Sequence, residues 1–127
     1  MTKKILFVDD DPVFHYIHIK SVKHLRIDCE VRMAFNGKDA LDIISSDQNN
    51  RFVPDYIFVD LNMPVMDGFR FIQSFHALPV PGKEKTMIVV LSSSNNSDDR
   101  SRAVGLGIEN YVVKPIKTLD LSRILQC

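Results

Sequence analysis

Five short apolar runs, each followed by an amphipathic stretch, limit this chain to few folds. Ile5–Val8, Val31–Phe35, Tyr56–Val59, Met87–Leu91 and Tyr111–Val113 are rich in β-branched or aromatic residues and bounded by polar or turn residues, and so read as strands. Three of the runs are almost wholly apolar, as parallel strands covered on both faces must be. Helical patterns lie between them. The first opens on Asp11-Pro12, an N-cap acceptor with proline at the first helical position, and sets Phe14, Ile17 and Leu25 on one face. Asn36-Gly37 caps the second, with Ala40, Leu41 and Ile44 as its buried stripe; Asp67-Gly68 starts the third, with Phe69, Ile72 and Phe75. Ser97-Asp98-Asp99 starts the fourth, with negative charge where the helix dipole favours it, and Gly105 and Gly107 mark its end. Thr118 caps the fifth, which Leu121, Ile124 and Leu125 carry. Strand then helix, five times, predicts an α/β doubly wound (βα)5 fold: a five-stranded parallel sheet with right-handed crossovers and helices on both faces.

At 127 residues the chain suits one domain, and the loop-rich stretches Asp47–Asp55 and Pro79–Thr86 are too short to link two. Residues 1–127 are therefore expected to be one domain with no output domain after the fifth helix. Hydrophobic residues make up 45% and charged residues 25%, the balance of a folded globular chain. No apolar run exceeds five residues, which excludes a membrane-spanning helix of about 20 and a signal peptide. The 16 basic residues equal the 16 acidic ones, against direct nucleic-acid binding. Two cysteines, Cys29 and the terminal Cys127, make no disulfide framework, so a reducing, cytoplasmic setting is expected.

Polar residues collect where the strands end. Asp9, Asp10 and Asp11 follow the first, Asp60 the third, Ser92 the fourth and Lys114 the fifth. Ligands of open α/β sheets bind outside that carboxyl edge where the strand order reverses, and the order 2-1-3-4-5 sets strands 1 and 3 together there. Two carboxylates about 4 Å apart repel by roughly 4 kcal/mol at an effective dielectric of 20, so clustered acids call for a cation. Oxygen ligands without convergent His or Cys favour magnesium, which keeps waters and leaves room for a phosphoryl group. Lys114 and Ser92 supply an ammonium and a hydroxyl to phosphoryl oxygens, and an aspartate facing them is a nucleophile toward phosphorus.

Five motifs in order then carry a resemblance. They are Val8-Asp9-Asp10-Asp11, Pro54-Asp55, the stretch from Val59-Asp60 through Leu61-Asn62-Met63-Pro64-Val65-Met66 to Asp67-Gly68, Leu91-Ser92-Ser93-Ser94, and Tyr111-Val112-Val113-Lys114-Pro115-Ile116. The chain resembles, over essentially its whole length, the response-regulator receiver domains of two-component signalling, single-domain and chemotaxis-regulator-like, with a flavodoxin-like fold. The resemblance implies phosphorylation of Asp60, with Mg2+ held by the carboxylates of Asp10 and Asp60 and the backbone carbonyl of Asn62, and by Asp9 through a water. It implies that Lys114 and Ser92 stabilise the phosphoryl group, and that Ser92 and Tyr111 switch the surface of helix 4, strand 5 and helix 5. The partners it implies are a sensor histidine kinase or histidine phosphotransfer protein and a downstream protein. It implies a signalling phosphoacceptor that assists its own phosphorylation and dephosphorylation, not an enzyme turning over a free substrate.

Plainer readings stand beside these. Asp11 is an N-cap; Asp67 and Gly68 are a turn and helix start without chemistry; Ser93 and Ser94 compete with Ser92; Tyr111 could be plain packing against the fourth helix. His15 and His18, one turn apart, lack a third ligand and read as surface residues, and Phe14, Phe69, Phe71 and Phe75 read as core. Two rival functions exist. A haloacid-dehalogenase-like phosphatase would use Asp9 as nucleophile, but its acidic pair should follow the lysine, whereas Asp98-Asp99 precedes Lys114, and Asp60 would go unexplained. A receiver-like interaction module that is never phosphorylated would usually have lost an acid or the lysine, and here none is lost.

Overall fold

The computed structural model of the chain describes residues 2–45, 52–63, 65–92, 97–108 and 110–126. Pro64, Ser93, Ser94, Cys127 and much of the loop before the third strand lie outside the described residues. Strands β1 (Lys3–Val8), β2 (Cys29–Ala34), β3 (Tyr56–Asp60), β4 (Met87–Ser92) and β5 (Asn110–Val113) alternate with helices α1 (Pro12–His24), α2 (Gly37–Ser45), α3 (Gly68–Ala77), α4 (Ser97–Gly105) and α5 (Thr118–Leu125). All pairings are parallel, in the order β2-β1-β3-β4-β5. The expected fold and reversal point are present, with β1 and β3 side by side at the centre.

Alternation along the strands divides the core into two layers. Leu6, Val8, Ile57, Val59, Ile88 and Val90 pack with residues of α2, α3 and α4, whereas Ile5, Phe7, Tyr56, Phe58, Val89 and Leu91 pack with Val22 of α1 and Leu121 and Leu125 of α5. The same alternation carries Asp9, one past Val8, and Asp60, one past Val59, to the α1 and α5 side.

The structure corrects several boundaries. β2 begins at Cys29 and stops at Ala34, not Phe35, because β1 ends at Val8, whose partner is Ala34; beyond it Phe35 has no strand to pair with. β1 starts at Lys3 and β5 at Asn110, where polar residues continue the ladder before the apolar runs begin. Asp60 and Ser92 are the last residues of their strands, not the first beyond them. Asp11 caps α1 as expected, its Oδ1 accepting from the Val13 amide at 2.9 Å, and Asp67 caps α3. Lys117 holds the N-cap position of α5; Thr118 is the first helical residue, because the Leu121 amide closes the first turn on the Lys117 carbonyl. A 3-10 turn at Lys83–Lys85 occupies the loop before β4.

The largest correction concerns α1. Its buried face is His15, His18 and Val22, with Phe14, Ile17 and Leu25 only half-buried, so the two histidines are interior residues. Phe69, Phe71 and Phe75 are core as expected.

Candidate functional site at the carboxyl edge of the sheet

The buried polar and charged residues among those described are Asp9, His15, His18, Asp60 and Ser92. Three of them end or follow β1, β3 and β4, and the two histidines lie on the first turns of α1, so the buried polarity of the described residues is spent at one edge. Burial of an unpaired polar group costs about 1–3 kcal/mol, and more for a charge, so each needs a partner.

Asp9 has one for every polar group. Its amide donates to the Ala34 carbonyl at 3.0 Å, its carbonyl accepts from His15 Nε2 at 2.7 Å, its Oδ1 accepts from the Asp11 amide at 2.9 Å, and its Oδ2 accepts from Lys114 Nζ at 3.0 Å. Asp9 is thereby fixed. Asp60, 3% exposed, lies across the site, its Oδ2 3.2 Å from the same ammonium and its Oδ1 accepting from the Asn62 amide at 3.3 Å. Burial pushes the Asp60 carboxyl above its ordinary pKa; Lys114 pulls it back, and the charge of Asp9 adds to the rise. Asp10 is exposed, next to Asp9.

One ligand oxygen from each of Asp9, Asp10 and Asp60 lies within 4.8 Å of the others. Three carboxylates and one ammonium leave a formal charge of about −2 when all are ionised, which a divalent cation would cancel. The all-oxygen donor set fits a hard ion, and the open side at Asp10 gives it a way in. Asn62 places its amide toward Asp60, with its side chain exposed.

Lys114 is placed by the backbone. Its amide donates to the Ser92 carbonyl at 2.8 Å, one step beyond the Ser92–Val113 pair of the ladder, which ties two of the expected residues directly. Its side chain is only 6% exposed. Tyr111, on β5, is half-buried against the core layer that includes α4, and the Arg100 guanidinium of α4 stands 4.8 Å over its ring. The structure thus gathers Asp9, Asp10, Asp60 and Lys114 at one point, with Ser92 ending the neighbouring strand and Tyr111 two strands from Asp60.

Three residues with no assigned part at sequence level complete the edge. His15 Nε2 faces two carbonyls, of Asp9 at 2.7 Å and Ala34 at 3.1 Å, and so carries the ring proton and clips α1 to the ends of β1 and β2. His18 Nε2 accepts from the Ile116 amide at 3.3 Å, which fixes the segment after Lys114. Burial lowers the His18 pKa to about 4, with Lys114 and His15 adding to the fall and Asp9 opposing it, so the ring is neutral and free to accept. The spacing 15, 18, 22 is that of a buried helix face, and this was the signal available; the polar character of histidine hid it. Gly68 is the third. A Cβ there would lie 2.6 Å from the Asp60 carbonyl oxygen, so the glycine lets the start of α3 rest against the strand end that carries Asp60.

The sequence matches the response regulator receiver domain family over residues 5–126. Hybrid signal transduction histidine kinase G of Dictyostelium discoideum is 31% identical over 122 residues, which are 96% of this chain and 3% of that protein. Regulator of RpoS of Escherichia coli (strain K12) is 30% identical over 122 residues, 96% of this chain and 32% of that protein. The chain thus spans a third or less of the length of these two relatives. The receiver domain of sensor histidine kinase PA1611 from Pseudomonas aeruginosa PAO1, solved with a magnesium ion in its active-site cleft, is similar in structure with a TM-score of 0.77 at 25% identity, over 99% of this chain and 96% of that one. With an acid cluster, a bridging lysine and a 2-1-3-4-5 sheet in one place, the chain belongs to the response regulator receiver domain family, the phosphoacceptor modules of two-component signalling.

Proposed function

We propose that the chain accepts a phosphoryl group on Asp60 and signals by the change this makes at its surface. One observation carries the reading: Asp60 is a buried carboxylate at the end of the central strand, 3.2 Å from the Lys114 ammonium and clustered with the carboxylates of Asp9 and Asp10. The donor would be a phosphohistidine of a sensor kinase or phosphotransfer protein. An Asp60 carboxylate oxygen forms the bond to phosphorus as the phosphorus–nitrogen bond breaks, and the leaving imidazole takes up a proton. Such transfers pass through a loose transition state, so positioning and charge do most of the work. Lys114 supplies positive charge to the transferred oxygens, and the Ser92 hydroxyl is the second donor. Magnesium would be held by Asp10, Asp60 and the Asn62 carbonyl, with Asp9 reaching it through a water, and when bound it neutralises phosphoryl charge. The magnesium ion in the PA1611 receiver structure supports this choice.

A phosphoryl group on Asp60 gives the Ser92 hydroxyl a new acceptor. Drawing the end of β4 inward would free Tyr111 to turn and so shift the face made by α4, β5 and α5, which a downstream protein reads. The chain would promote its own phosphorylation and dephosphorylation without turning over a free substrate. No helix among the described residues is long and apolar enough to cross a membrane. A cytoplasmic setting, where the free thiol of Cys29 stays reduced, suits the reading.

Incubation with magnesium and acetyl phosphate tests it: intact mass should rise by one phosphoryl group in the wild type and stay unchanged in Asp60→Asn. An equal rise in Asp60→Asn would overturn the assignment.

A further inference from the structure

We propose that Phe14 is a positioning residue for Lys114, its ring face receiving the third N–H of the ammonium whose other two face Asp9 and Asp60. The inference rests on the phosphoacceptor reading above and adds a residue to it. Lys114 Nζ lies 3.0 Å from Asp9 Oδ2, 3.2 Å from Asp60 Oδ2 and 4.0 Å from the centre of the Phe14 ring. An ammonium has three donors, and on a side chain only 6% exposed this one has little water to satisfy the third. The negative face of an aromatic ring is an attractive partner for a desolvated cation at this distance.

The ring is held in place by others. Phe14 stacks on His18, one helical turn on, at 6.0 Å and 26°; His18 stacks on Phe7 at 5.4 Å and 16°; Phe7 stacks on Phe58 at 5.0 Å and 23°. Phe7 belongs to β1 and Phe58 to β3, the strands that present Asp9 and Asp60. His18 also accepts from the Ile116 amide, two residues past Lys114, so the ladder locates both the ring and the segment that carries the lysine. The half-burial of Phe14, at odds with a plain core role, fits a residue whose face is turned to a cation.

A π face has a use here that a hydroxyl or carbonyl lacks. During transfer the ammonium must move from the Asp60 oxygen toward the arriving phosphoryl oxygens. Attraction to a ring face is broad in direction, so the cation slides without losing its third partner, whereas a directional hydrogen bond would hold it back.

The test is a series with phenylalanine at position 14 replaced by its mono-, di- and trifluorinated forms, which weaken the ring face at nearly constant shape, together with Phe14→Tyr and Phe14→Leu. Initial phosphorylation rates with magnesium and acetyl phosphate should fall stepwise with fluorine number, by roughly tenfold across the series, with Phe14→Tyr close to wild type and Phe14→Leu slowest. A second readout needs no phosphorylation: the side-chain protons of Lys114 near Nζ should resonate upfield from the ring current, and return to ordinary positions in Phe14→Leu. Equal rates across the fluorinated series, or Lys114 protons unmoved in Phe14→Leu, would overturn the proposal. Upfield Lys114 protons in a wild type that takes up no phosphoryl group would instead overturn the phosphoacceptor reading.

Discussion

Replacing Gly68 by alanine should destabilise this protein although alanine is the better helix former. The added Cβ would stand 2.6 Å from the Asp60 carbonyl oxygen, 2.8 Å from Leu61 Cα and 3.2 Å from the Asp60 carbonyl carbon. All three are backbone atoms at the end of β3, which is clamped between β1 and β4, and the Gly68 amide itself donates to the Leu61 carbonyl at 3.0 Å. Neither side yields easily, so the cost is that of an overpacked interior, about 1–3 kcal/mol. For a domain of this size each kcal/mol moves Tm by roughly 3–5 °C, so a fall of about 3–15 °C is expected. Helix propensity alone gives the opposite sign, a gain of up to about 1 kcal/mol. Gly105→Ala is the control: it ends α4 with nothing within 4 Å of a new Cβ, and should be neutral or raise Tm slightly. Thermal denaturation followed by circular dichroism reads both, and the acetyl phosphate reaction reports whether the strand end moved, since phosphorylation of Gly68→Ala should be slower. A Gly68→Ala protein as stable as wild type would refute the close approach at Asp60.

Three further outcomes follow from the site. Magnesium titration should show weaker binding in Asp10→Ala than in Asp9→Ala, since Asp9 is committed to Lys114 and to the Asp11 amide while Asp10 faces outward; equal affinity in wild type and Asp10→Ala would remove Asp10 from the metal site. His18 has a folded-state pKa of about 4 against 6.5, so between these values the unfolded chain holds a proton that the folded one lacks, and stability present above pH 6.5 is lost as pH falls toward 4, by up to about 3 kcal/mol. Asp60, with its pKa raised, acts with the opposite sign in both proteins, so the comparison is between wild type and His18→Gln: denaturant unfolding should show a flatter pH profile for the variant, and parallel profiles would contradict a buried neutral His18. Ser92→Ala should still be phosphorylated on Asp60 but lose coupling to the α4 and β5 face, on the order of 1–3 kcal/mol. Amide shifts at Arg100 and Tyr111 on adding the beryllofluoride mimic report it, and identical changes in variant and wild type would sink the role of Ser92.

The sheet was legible because its strands are apolar on both faces: Tyr56–Asp60 is buried at every position, and such a run has few other places to go in a chain this short. The acids and Lys114 were legible as residues that interrupt apolar runs where strands end. The ends of β2 were not, because an edge strand with exposed Glu30, Arg32 and Met33 has weak alternation and its limits are set by its partner β1. The inward face of α1 was legible only as the spacing 15, 18, 22, which the polar histidines masked. Burying His15 and His18 is tolerable only because specific backbone groups await them, the Asp9 and Ala34 carbonyls and the Ile116 amide, and those come together only in the folded chain. Phe14 reads from the sequence as a core residue but is half-buried, its ring 4.0 Å from the ammonium of a lysine 100 residues away in sequence.

Identification of the modified residue tests the central claim most directly. An aspartyl phosphate is an acyl phosphate, so borohydride reduces it to homoserine and marks the position permanently for peptide mass mapping. After incubation with magnesium and acetyl phosphate, the mark should fall on Asp60 alone, with Asp9 and Asp10 untouched. A mark on Asp9 would move the nucleophile to β1 and return the phosphatase-like reading, and no mark on a folded, magnesium-binding protein would contradict phosphoryl transfer to Asp60.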